Sequence, residues 1–154
     1  MTDGPERPAT SPCPAIVRLT DGSRLEVVFW LLPDPARSDG CMRLDALLDG
    51  PRTFLAVGLT GGGSVLLSRD AILTVEIDAA SKGSPDLGEP GASFDVVTVH
   101  LDTGLEVAGV LRTWAPEGAG RMSDVINAAE RFLTLGLGSR IALVNRTRIA
   151  RVSF

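Results

Sequence analysis

Tyrosine is absent from this chain, and aromatic residues make up only 5% of it, so Val, Leu, Ile and Ala must fill whatever core forms. Cysteine is scarce: Cys13 and Cys41 are too few for a disulfide framework and lack metal-site spacing, which points to a reducing compartment. Histidine occurs once, at His100, so Ser-His-acid chemistry would have to use it, and no serine sits in a nucleophile-elbow motif. No apolar run is long enough to span a bilayer. The opening MTDGPERPATSPCP lacks the hydrophobic centre of a secretory signal. Basic charge is not in excess: the net charge is −4 and the pI about 4.9. That balance disfavours RNA and anionic membrane as general partners and leaves only local basic patches. These absences describe a cytoplasmic protein with no cofactor or metal and no catalytic residues indicated.

What is present is a soluble-protein composition, 44% apolar over 154 residues, enough for one ordinary domain or two very small ones. Residues 1–14 read as a disordered tail. Apolar alternation then predicts strands over 16–19 and 25–32, joined by an Asp21-Gly22 turn. A loop follows, then a helical turn over 44–49 ended by Gly50-Pro51. Strands over 53–59, 64–68 and 72–77 complete a first unit spanning 15–78. Small residues, Gly and Pro dominate the stretch up to Ser93, so 79–93 reads as a linker. The second unit, 94–154, repeats the order: strand, Asp102-Thr103-Gly104 turn, strand to Trp114, loop 115–120, helix over 123–130 with Ser123 as N-cap, then three strands.

Register anchors support a duplication. Asp45 aligns with Asp124, Phe54 with Phe132, Arg69 with Arg146, Ile72 with Ile149 and Val75 with Val152, and Leu25-Glu26-Val27 is matched to Leu105-Glu106-Val107. A period this long is a duplicated domain rather than a solenoid repeat. The expected fold is mainly β: two tandem five-stranded SH3-like or Sm-like small barrels, each with one short helix between its second and third strands.

The end of each unit is the sharpest pattern. VLLSRDAILTVEI and IALVNRTRIARVSF both run strand, basic-polar turn, isoleucine, strand, which resembles the second half of the Sm motif. Asp21-Gly22, Gly109 and Asp124-Val125-Ile126-Asn127 are similar to parts of its first half. The order of elements also resembles that of uncharacterised bacterial proteins of Sm-like type. In Sm proteins the motif's Asn and Arg hold RNA bases around a ring. The resemblance therefore implies Asn127 and Arg146 as binding residues, with Arg69 as a partial match. Asp70 and Thr147 stand where that motif has glycine, and Leu48 where the first unit would have its Asn.

Other candidates carry less. Alternation turns His100 outward, along with Thr98 and Asp102. Gly61 to Gly63 join two strands with no following helix, so they read as a hairpin turn rather than a phosphate cradle. Glu26 and Glu106 read as equivalent exposed carboxylates. Asn145-Arg146-Thr147 is a sequon without a secretory route. Arg140, Arg146, Arg148 and Arg151 form the one basic cluster, suited either to phosphate or an acidic partner or to protecting an exposed edge strand. With Arg69 and Asn127, the residues Arg146, Arg148 and Arg151 make up the candidate binding set. The leading expectation is a non-catalytic binding or assembly module, an adaptor or scaffold subunit acting through barrel edges and turns. Its expected partner is another protein or a second copy of itself, with further assembly into a ring to which each chain supplies two barrel positions. An RNA-binding Sm-like protein and a small-ligand-sensing pair of barrels are the alternatives.

Overall fold

The computed structural model describes residues 9–85, 93–113, 121–128 and 130–154. The first half contains β1 (Ser11–Leu19), β2 (Arg24–Leu31), α1 (Leu44–Leu48), β3 (Phe54–Leu59), β4 (Ser64–Ser68), a 3₁₀ turn (Arg69–Ala71) and β5 (Ile72–Asp78). The second half repeats this order with β6 (Ser93–Leu101), β7 (Glu106–Thr113), α2 (Arg121–Ile126), β8 (Phe132–Leu137), β9 (Arg140–Asn145), a 3₁₀ turn (Arg146–Arg148) and β10 (Ile149–Ser153). No helix among the described residues is long and apolar enough to cross a membrane. The expected tail over 1–8, the linker over 86–92, Trp114, the loop at 115–120 and Ala129 lie outside the described residues.

All ten strands form one open antiparallel sheet in the order β10-β6-β7-β8-β9-β5-β1-β2-β3-β4. Each half thus keeps its fifth strand beside its first, followed by its second, third and fourth. The halves are not separate sheets. β5 pairs with β9 from Thr74↔Val144 to Asp78↔Arg140, which leaves β4 and β10 as the two edges. Alternation then lets each junction strand serve both cores. Ile72, Val75, Ile77, Ile141 and Leu143 join the first core cluster, together with Phe132. Leu73, Ala142 and Val144 join the second.

The repeat is close at the level of register. β1 pairs Leu19 with Ile72 and Arg18 with Thr74 across a bulge, and β6 pairs Leu101 with Ile149 and His100 with Arg151 across the same bulge. The hairpins agree too: Gly22 and Gly104 both take φ near +90° (89° and 92°), where only glycine is free of Cβ strain. This corrects one sequence alignment. Val17 pairs with Leu25 and Val99 with Val107, so Leu25 corresponds to Val107, not Leu105. Glu26 and Glu106 are therefore not equivalent. A short Leu-Glu-Val identity misled the alignment, whereas the turn sets the pairing.

Three other expectations change. β1 begins at Ser11, inside the stretch read as tail, and pairs Pro12 with Trp30 and Pro14 with Val28. Its pairing with β5 starts only at Ile16, so both prolines sit where one side of the strand carries no ladder and a missing N–H costs nothing. Ser123 lies within α2 rather than capping it, and its carbonyl accepts the Asn127 N–H at 2.9 Å. The start of the linker is built into the fold: the Gly83 carbonyl accepts the Leu44 N–H at 2.8 Å, and its N–H donates to Asp39 Oδ2 at 2.9 Å. Gly83 has φ +80°, and a Cβ there would lie 2.1 Å from Leu31 Cδ1, so only glycine fits.

The Gly83 N–H, and after it the Arg37 side chain, hold the Asp39 carboxyl down to about 2. Since that is below the unfolded value of about 3.9, the pinned carboxylate stabilises the fold above roughly pH 4 and stops doing so as the pH falls towards 2. Its side chain is 25% exposed, so solvent screens part of the effect. Asp39→Asn should lower stability by about 1 kcal/mol at pH 7 and flatten the loss of stability between about pH 4 and 2, as read by urea unfolding at several pH values.

Candidate binding site at the open edge of the second half

Arg69 and Arg146 stand at the same place, each opening the 3₁₀ turn of its half. Their backbone N–H groups donate to Thr53 (2.8 Å) and Arg131 (2.7 Å) carbonyls respectively, just ahead of β3 and β8. Each Nη1 reaches a carbonyl ahead of the third strand: Leu48, the last residue of α1, for Arg69 at 3.3 Å, and Glu130, between α2 and β8, for Arg146 at 3.0 Å. Each Nε is buried without a partner. The geometry is that of a clamp tying the 3₁₀ turn of each half to the stretch that leads into its third strand, at the end of α1 in the first half and beyond α2 in the second. Arg69 is fully buried. Burial pulls the Arg146 guanidinium below its usual value, against the opposing pull of Glu130 and Asp49.

Arg148 lies at the junction instead. Its Nε and Nη2 donate to the Asp70 carbonyl at 3.3 and 3.2 Å, and its Nη1 meets Asp102 at 3.4 Å. Arg131 pairs with Asp70 at 2.9 Å, and its N–H donates to Asp49 Oδ1 at 2.7 Å. Asp49 and Asp70 of the first half thus hold two arginines of the second. The buried Asn145 donates across the same seam to the Ile72 carbonyl at 2.9 Å and accepts from Thr147 N–H and Oγ1, which takes the sequon asparagine out of reach.

Of the five predicted binding residues, the structure brings three together. Asn127, Arg146 and Arg151 line a depression of about 460 Å³ beside β10, together with Ile126, Ile149, Val152 and Phe154. Asn127 turns its Nδ2 back onto the Ser123 carbonyl (2.8 Å) and Oγ (3.2 Å), so the depression is more apolar than the residue names suggest. A second depression, about 360 Å³, lies between the halves, where Arg43, Asp45 and Asp49 face Arg112, Asp124 and Glu130. Its charges are mixed, without a dominant sign.

His100 is only 17% exposed in its side chain although it lies on the outer face. Nε2 is 3.0 Å from Ser153 Oγ and Nδ1 3.1 Å from Glu106 Oε1, the order of a nucleophile, base and orienting acid. However, Arg151 Nη2 approaches the same Nδ1 at 3.5 Å. A neutral ring cannot accept from Arg151 and donate to Glu106 at one nitrogen. The group joins β10 to β6 and β7, and His100, Glu106 and Ser153 line neither depression described above. Glu26, by contrast, pairs with Arg24 at 3.8 Å and stays exposed. No group of three or more His, Cys, Asp or Glu among the described residues could hold a metal ion.

Sequence reasoning missed the exposed apolar residues. Leu66 at the middle of β4 is 67% exposed and Phe54 on β3 56%, although Phe132, the counterpart of Phe54, is 3% exposed. The signal was present in the outward phase of both positions, but nothing local separates Phe54 from Phe132. Searches of protein-family models, curated proteins and solved structures gave no match to this chain.

Cys13, expected in the tail, and Cys41 are both completely buried in the first core. Burial is the main cause pushing the Cys13 thiol up, which makes it a poor nucleophile. Titration with a thiol-specific disulfide reagent at pH 8 should find no fast-reacting thiol in the native protein and both thiols in urea.

Proposed function

We propose that this chain is a non-catalytic binding and assembly module whose halves are small five-stranded barrels, SH3-like or Sm-like, and that it works by strand addition at β4 and β10. The strand order within each half, with the fifth strand beside the first and a 3₁₀ turn before it, supports the barrel reading. The observation that carries the function is the β4 edge. Its sequence SVLLS contains no charge, no proline and an exposed leucine, whereas proteins that keep an edge unpaired usually blunt it with such residues. An open edge of this kind offers main-chain hydrogen bonds to an incoming strand and apolar contacts for its specificity. The competing demands on His100 Nδ1 favour a structural over a catalytic role for that cluster.

A second reading, binding of single-stranded RNA, is favoured by one observation: Asn127, Arg146 and Arg151 share a depression. It is weakened by the internal hydrogen bonds that already occupy Asn127 and Arg146.

Native mass spectrometry of the protein purified gently from its host tests the main reading. The expected result is bound polypeptide mass that is lost from Leu66→Glu. Hydrogen exchange should show β4 and β10 amides protected in that complex and unprotected in the variant. A bare 16.2 kDa chain with freely exchanging edges would overturn it. Bound nucleotide mass, released by salt and by Arg146→Ala, would replace it with the RNA reading.

A further inference from the structure

Strands β1 to β4 are apolar on both of their faces. One face turns Cys13, Val27, Phe29, Leu55, Val57 and Leu67 into the first core. Alternation puts Pro12, Pro14, Trp30, Phe54, Ala56 and Leu66 on the opposite face, and all six are exposed. The pairings Pro12↔Trp30, Pro14↔Val28, Val28↔Gly58 and Ala56↔Leu66 make a continuous row of them across four strands. The Trp30 ring leans over Gly58, where a Cβ would lie 3.7 Å from Nε1. Leu32, just past β2, is exposed as well. Arg18, Arg24 and Glu26 share this face but gather at the hairpin end of β1 and β2. The second half shows that the fold does not require such a surface. Register equates Pro12 with Phe94, Trp30 with Arg112 and Ala56 with Thr134. Arg112 lines the depression between the halves, and the exposed Phe94 and Val96 stand beside Arg112 and Thr98.

We infer that this outer face of β1 to β4 is a contact between two copies of the chain, packed sheet face on sheet face about a two-fold axis with Trp30 buried in it. Area and chemistry select the second copy. About half of Trp30, Leu32 and Phe54 and two-thirds of Leu66 remain in water. With the prolines and Ala56 these exposed parts come to about 600 Å² on each copy, or about 1,200 Å² for a pair, which reaches the size of a stable interface. Most of the main-chain groups of β1, β2 and β3 beneath this face are taken up by strand pairing, so it offers an extended peptide little to bind. A fitting partner is another broad apolar sheet face, and the same face of a second copy is one. Anionic lipid is disfavoured by the net charge of −4. Arg18, Arg24 and Glu26 then form part of the polar rim around an apolar centre. The contact is isologous, so it closes at two copies and leaves the β4 and β10 edges open. It goes beyond strand addition and does not depend on it.

Analytical ultracentrifugation and native mass spectrometry of the purified full chain, alone and over a range of concentrations, test this inference. Wild type should reach twice the 16.2 kDa chain and stop there. Trp30→Glu alters an exposed side chain, so it should keep the wild-type circular dichroism. It should weaken the dimer by about 100-fold or more, since it drives a charge into an apolar contact. Val96→Glu, on the corresponding face of the second half, should leave the dimer intact. A wild type that stays monomeric at about 100 µM would overturn the inference, because an interface of this size holds more tightly than that. A dimer indifferent to Trp30→Glu, or lost equally in Val96→Glu, would overturn it too. Hydrogen exchange separates this contact from strand addition: the β4 and β10 amides should stay unprotected in the two-fold dimer. An assembly that protects them and survives Trp30→Glu would overturn the face contact and leave strand addition standing. A monomeric lone chain whose host-purified form carries a different polypeptide, released by Trp30→Glu, would overturn the second copy as occupant. A bare chain with unprotected edges in both preparations would overturn both readings.

Discussion

The pairing of β5 with β9 is the interaction on which the rest of this structure depends. Each half has about sixty residues, few aromatics and a core of branched aliphatic side chains, so alone it would hide only a modest fraction of its apolar surface. Pairing through β5 and β9 lets Ile141, Leu143 and Phe132 complete the first core, while Leu73 is given to the second. The seam is sealed on one flank by the side chain of Arg140 on Glu76 and on the other by Asn145, Arg131 and Arg148. Removing the junction would open two incomplete cores at once.

The same pairing explains why near-identical sequence patterns reach different environments. Phe54 and Phe132 occupy one structural position, yet one is in water and the other in a core. Strand register and turn geometry are local properties, and both halves share them down to the bulge beside the hairpin. Burial is not local. It depends on what lies beyond the edge strand, and only one of the two equivalent edges is covered within the chain.

That distinction sets how far the sequence could be read. Strand alternation, as in Val97, Val99 and Leu101 against Thr98 and His100, exposed most elements, and the turn glycines fixed the hairpins. The single continuous sheet escaped, because nothing in Ile72–Asp78 or Arg140–Asn145 announces that they pair with each other rather than end separate barrels. Pro12 and Pro14 hid the start of β1, since their tolerance depends on the one-sided ladder there. The candidate site was half legible. The resemblance to the Sm motif nominated Asn127 and Arg146, and the basic cluster added Arg151, but neither could reveal that Arg69 and Arg146 serve main-chain carbonyls, whose positions only the fold supplies.

The arginines therefore change meaning once their partners are known. In an acidic chain a basic cluster draws attention as a docking patch for anions. Here Arg140 and Arg148 are engaged across the junction and Arg69 and Arg146 within their own halves, which leaves Arg151 as the member at an open edge. The cluster's charge is largely consumed in holding the two halves in register. Arg151 apart, what the described residues leave unpaired at the β4 and β10 edges is mainly apolar and main-chain in character. On the strand-addition proposal, interaction at those edges would depend on shape and strand pairing far more than on charge, and should be correspondingly insensitive to salt.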